Sequence, residues 1–175
     1  MSRKITLLLA TLISLSGHHT AFAEEAPNHS LGLSAGWVGG SGVSYRHYID
    51  DSFVQTNAIA TMNKDEYREH FELAISYGQF LSHHQFDDAF APIASKFLLG
   101  IQAVHDAQPN DTNNGMQTSR EIYSGLGLGL DIINPRRRGM VISLDLYYAA
   151  KWIGFSSPEL TQLEFLPNAA IRYNF

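Results

Sequence analysis

Cysteine is absent from the chain. That excludes the disulfide-stapled secreted class and removes thiolates as metal ligands or nucleophiles. No apolar run reaches the ~17–25 residues that a membrane-spanning helix needs, so none is expected. Basic residues are few, with 12 Lys and Arg against 17 Asp and Glu. This balance leaves no general basic surface for nucleic acid. The one basic run is Arg136-Arg137-Arg138, which reads as a solvated turn or as a contact for lipid phosphates. Helix has little room either, because glycines and β-branched residues interrupt most windows of helical length. The exception is Asp87 to Leu99, read here as a loop running into a strand.

What is present begins with an export signal. Arg3 and Lys4 form a basic start, Ile5 to Leu15 a short apolar stretch, and Ala21-Phe22-Ala23 a small-x-small cleavage motif. The expectation is a signal peptide over 1–23 and a single domain over 24–175. Removing Arg3 and Lys4 makes the remaining chain more acidic still.

From Leu31 onward the dominant period is two, the period of a strand with two unlike faces. Ile122, Ser124, Leu126, Leu128, Leu130 and Ile132 share one face, and Tyr123, Gly125, Gly127, Gly129 and Asp131 the other. Met140 to Trp152 repeats the pattern with Val141, Ser143, Asp145, Tyr147, Ala149 and Lys151 opposite. These apolar faces outrun the usual ~5–6 residue strand of a soluble sheet. Glycine costs ~0.5–1 kcal/mol inside a strand, so several on one face predict a crowded interior. Aromatics such as Trp37, Tyr45, Phe71, Tyr148, Trp152, Tyr173 and Phe175 fall toward the ends of the apolar faces. The strands are placed at 31–38, 41–49, 53–62, 68–80, 93–105, 119–132, 139–152 and 164–175. Gly39-Gly40 reads either as a tight hairpin or as part of one long strand, since odd-numbered residues stay apolar from Leu31 to Val43.

The last strand ends on alternating Ile171, Tyr173 and Phe175. This resembles the C-terminal signature of Gram-negative outer-membrane β-barrels, the porin-like, OmpA- or OmpW-type eight-stranded proteins. The resemblance implies an all-β fold, a closed antiparallel transmembrane β-barrel of eight strands in the bacterial outer membrane. It also implies contact with outer-membrane lipids, including lipopolysaccharide, and recognition of the final strand by the barrel-assembly machinery. A monomer is expected, with 106–118 and 153–163 as surface loops and 50–52 and 133–138 as periplasmic turns. Residues 81–92 are long for a periplasmic connection. The alternatives are a narrow channel or small-solute transporter, and a soluble periplasmic β-sandwich.

The inward face carries Arg46, Lys96, Lys151 and Arg172 with Glu72, Glu121, Asp131, Asp145 and Glu164. Unpaired charges in so narrow a space are too costly, which predicts a paired network that fills the lumen. No catalytic residue is assigned and no cofactor is expected. Lipid A deacylases use a His and a Ser two positions apart, and neither His47, His105 nor His29-Ser30 fits that spacing. A distant pairing of Ser124 with His105 is the remaining enzyme candidate. His83-His84 with Asp87-Asp88 has metal-like composition, but neighbours on an extended chain point to opposite sides. No metal site is assigned.

Overall fold

A computed structural model describes residues 28–63, 67–84, 92–110, 115–133, 139–154 and 159–175. Eight strands run in chain order: β1 (His29–Gly36), β2 (Gly42–Ile49), β3 (Ser52–Asn63), β4 (Arg68–His84), β5 (Ile93–Asn110), β6 (Gly115–Ile133), β7 (Met140–Ile153) and β8 (Glu159–Asn174). Each pairs antiparallel with its neighbours in sequence, and β1 also pairs with β8, so the sheet closes as a barrel. At the seam Leu31 lies opposite Tyr173 and Leu33 opposite Ile171. The Phe175 amide adds a 3.0 Å bond to the His29 carbonyl, extending the ladder past the last strand.

Alternation sets which side chains meet. Along β7 the buried residues are Val141, Ser143, Asp145, Tyr147 and Ala149, and those between them are exposed. A small apolar cluster of Val38, Phe53, Leu98, Tyr123, Tyr147, Ala149 and Leu166 shares the interior with the charges. Large apolar side chains stand outside: Leu33 is 60%, Leu128 62% and Phe165 68% exposed.

Two expected boundaries are corrected. Residues expected in the 106–118 loop instead carry the β5–β6 ladder outward, as far as Asn110 opposite Gly115. Those residues lack alternation because nearly all of them are exposed, so neither face selects apolar side chains. In the same way β8 starts at Glu159 within the expected 153–163 loop, and Glu159 to Leu163 are all exposed. Of the two readings of Gly39-Gly40, the tight hairpin is the one found. Strands β1 and β2 are separate, and the turn between them folds into the barrel instead of projecting from it.

Val38 is fully buried by this inward turn. The Gly40 amide donates to the Trp37 carbonyl at 2.9 Å, Ser34 Oγ donates to the Gly40 carbonyl at 2.8 Å, and Asn57 Nδ2 donates to the Gly39 carbonyl. Gly40 has φ +77°, and a Cβ there would run into the Ala74 side chain. Odd-numbered apolar residues therefore continue through 31–43 without a continuous strand, because a turn lined by the interior is also apolar.

The narrow-channel expectation is overturned by the same packing. Arg46, Phe53 and Lys96 are at 0% exposure across the middle of the barrel, and the turn closes the space above them. Glycines on the inner face make this density attainable: a Cβ at Gly78 would strike the Phe53 ring, and one at Gly100 would sit 2.9 Å from Val38 Cγ1. Gly78→Val is expected to cost at least ~1–3 kcal/mol and to lower the folded yield. Ala58→Val, on the exposed face, should leave it unchanged. Circular dichroism of the two refolded variants checks the difference.

Candidate functional site

Two groups of polar residues occupy the interior at different levels. The lower one is centred on Asp131 of β6. Its Oδ2 receives Arg46 Nη1 at 2.5 Å, and its Oδ1 receives Ser143 Oγ at 2.6 Å and the Lys96 ammonium. Lys96 Nζ also lies 2.9 Å from Asp145 Oδ1, an ion pair lacking an aligned hydrogen bond at that oxygen. Arg46 donates to Gln55 Oε1 from Nε at 3.1 Å and from Nη2 at 3.0 Å, and its guanidinium stacks 3.8 Å from the centre of the Phe53 ring. Arg172 donates to Ser44 at 2.8 Å and to Ser143 at 2.7 Å. β2, β3, β5, β6, β7 and β8 thus all contribute to one knot.

The second group lies above the inward turn, where an open vestibule encloses about 330 Å³. Its walls include Trp37, His70, Glu72, Gln102, Asp106, Glu121 and Tyr123. Glu72 Oε2 accepts Gln102 Nε2 at 2.9 Å and the Ser41 amide at 3.2 Å, which fastens the turn to β4 and β5. Glu121 accepts the Tyr123 hydroxyl at 2.7 Å and pairs with Lys151 at 3.0 Å. His70 stands between two carboxylates, with Nε2 2.8 Å from Glu72 and Nδ1 3.0 Å from Asp106. Partial burial works against its charged form, but the hydrogen bonds to Asp106 and Glu72 outweigh it and raise the pKa above the ordinary histidine value.

The nine lumen residues expected from sequence do not form one network. The structure brings Arg46, Lys96, Asp131, Asp145 and Arg172 together below, and places Glu72, Glu121 and Lys151 above. Glu164 accepts Gln162 Nε2 at 3.1 Å instead. Ile171, Tyr173 and Phe175 lie on the exposed face along the seam. Sequence reasoning passed over Phe53, Gln55, Ser143 and Asn168 in the lower knot, and His70, Gln102 and Asp106 in the vestibule. Parity marked all of these as inward except Asp106, which was expected in a loop without alternation.

The enzyme candidate is also corrected. Ser124 accepts Trp152 Nε1 at 3.2 Å on the outer face and is paired with Ile101, whereas His105 is paired with Arg120. Four ladder positions, roughly 13 Å, separate them, too far for proton transfer. Among the described residues no cluster of His, Asp and Glu could hold a metal ion. The His83-His84 and Asp87-Asp88 candidate, like Arg136 to Arg138, lies outside the residues whose side chains are described.

Two outcomes follow. Arg46→Met leaves Asp131 under-compensated and is expected to cost ~3–5 kcal/mol in denaturant unfolding, with much of that recovered when Asp131→Leu is added. Because the folded pKa of His70 is raised, its contribution is complete below the unfolded value near 6.5 and is lost as pH rises through the folded value. The melting temperature of the native chain should fall between pH 6 and pH 9 by more than that of His70→Gln.

No family model, no curated protein and no solved structure matches this chain. The resemblance to small outer-membrane barrels therefore gains no relative to rest on. Transmembrane placement, outer-membrane location, lipopolysaccharide contact and recognition by assembly machinery were implied by that resemblance alone, and they are withdrawn with it. The porin-like reading fails separately, on the filled midsection. No described helix is long and apolar enough to cross a membrane. Among the described residues, what stands is an all-β fold whose eight antiparallel strands close on themselves around a packed, charged interior.

Proposed function

We propose that this chain is a non-catalytic, non-conducting barrel that works as a scaffold with its outer belt against an apolar phase. The observation that carries the reading is the inversion of polarity. Arg46, Lys96 and Asp131 are enclosed, while Leu33, Leu128 and Phe165 are mostly uncovered. Fully burying such an apolar side chain is worth ~1.5–3 kcal/mol, so a belt of them favours an apolar covering over water. The filled midsection argues against transport, and the separation of Ser124 from His105 argues against hydrolysis. The parts left to meet solutes are the vestibule and the exposed hairpin ends.

Refolding from denaturant with and without detergent micelles tests the reading. A folded, monodisperse species is expected only above the micelle concentration, and Leu128→Arg should reduce its yield more than Ser119→Arg at the polar end. Folded monodisperse monomer in detergent-free buffer would overturn it.

A further inference from the structure

The wall of the barrel is not equally high all round. β1 and β2 have 8 residues each, whereas β3 has 12 and β8 has 16. The uppermost pair between β1 and β8 is Gly36 with Asn168, and the uppermost between β2 and β3 is Val43 with Ala58. Above these, among the described residues, 159–167 of β8 pair with β7 alone and 59–62 of β3 with β4 alone. β8 and β3 are three strand spacings apart along the wall, roughly 14 Å, so a notch wide enough for an added strand lies between them.

The notch presents hydrogen-bonding backbone. In β8 the Phe175 amide bonds to His29 on the β1 side and the Asn174 amide to Gly139 on the β7 side, so odd-numbered residues direct their amides and carbonyls away from β7. Leu163 and Phe165 keep that parity, since the β7–β8 register is unbroken from Gln162 to Tyr173. Their N–H and C=O groups point into the notch and have no partner among the described residues. Pro167 fits the same assignment, because its missing N–H lies on this side and costs the β7 ladder nothing. Such an edge is matched by an extended chain, whose donors and acceptors repeat at the same spacing.

The side chains beside the edge narrow the sequence of that chain. Leu163 and Phe165, 55% and 68% exposed, stand on the outer side, and Met62, at 65%, stands across the notch. Glu164 and Gln162 face the other way, Glu159 lies at the upper end, and 159–167 contain no Lys or Arg. Lys151, on the adjoining stretch of β7, is already paired with Glu121. A second copy of this edge would bring further acids and no base.

We propose that the free edge of β8 is a docking site for an extended strand of another polypeptide, with apolar residues on its outer side and Lys or Arg on its inner side. The strand runs antiparallel to β8, where a longer β1 would have run. Its apolar residues exchange backbone hydrogen bonds with Leu163 and Phe165, and its base meets Glu164. The site follows from strand pairing and does not depend on what covers the outer belt.

A dye-labelled, capped peptide of alternating valine and lysine is titrated with refolded protein and followed by fluorescence anisotropy. Saturable binding is expected, roughly tenfold weaker for an alternating valine–glutamate peptide. N-methylation of the valines removes the donors aimed at β8 and should abolish binding, whereas N-methylation of the lysines should leave it within about threefold. Leu163→Pro removes an edge donor that β7 does not use and should weaken binding roughly tenfold. Glu164→Lys should reverse the preference between the two peptides. No saturable binding of the valine–lysine peptide would overturn the proposal. So would equal binding of the valine-methylated peptide, or affinities unchanged in folded Leu163→Pro and Glu164→Lys proteins. A dimer of the protein in sedimentation that Leu163→Pro dissolves would also overturn it, by giving the edge to a second copy. Detergent dependence of refolding is a separate measurement, so failure here leaves the scaffold reading to its own test.

Discussion

The carboxylate of Asp131 is the group around which the interior is arranged. It touches two of the three enclosed cations directly, and through Ser143 it reaches the third, Arg172. Removing any enclosed charge would leave a partner exposed to a medium of low polarity, at several kcal/mol per ion. Burial on this scale is weak evidence that the ion pairs stabilise the fold relative to an apolar core. It is stronger evidence for selection of one register. A slip of one residue in β6 would turn Asp131 outward and bring Leu130 or Ile132 into the knot. The six strands that feed the knot are thereby held to one alignment.

The inward turn depends on the same economy of space. With Phe53 and the Arg46 guanidinium filling the middle, only a loop of very small residues fits above them. Gly39 and Gly40 supply it, with Val38 as the single apolar contact. The turn in turn sets the floor of the vestibule, since the Ser41 amide is held by Glu72. Packing at mid-height thus determines the shape of the open end.

Much of the strand order was legible because alternation is strong wherever the two faces differ. Ile122 to Ile132 and Met140 to Trp152 show the period plainly, and parity there separated inner from outer residues. The pattern faded where both faces meet water, at Gln108 and Gln117 or Glu159 and Leu163, and there strand was read as loop. Parity also marks which residues turn inward without showing their height. Glu121 and Asp131 share a face of one strand, yet one lies in the vestibule and the other in the knot. Nor does alternation report what surrounds the barrel: a belt of Leu and Phe looks the same whichever apolar phase covers it. The family resemblance drawn from the terminal Ile171, Tyr173 and Phe175 went past what that motif could carry.

Every pairing in the sheet but one joins strands that are neighbours in sequence. Seven hairpin contacts form locally, and the meander can grow without any large loop being closed. The exception, β1 with β8, must bring together residues such as Leu33 and Ile171 from opposite ends of the described chain. Closing so long a segment carries the largest loop entropy of any step, and it is the slow kind of contact. Until it happens both end strands present unpaired amides and carbonyls, the edges on which chains join one another. Folding speed and the risk of aggregation therefore converge on a single event, the meeting of the first and last strands.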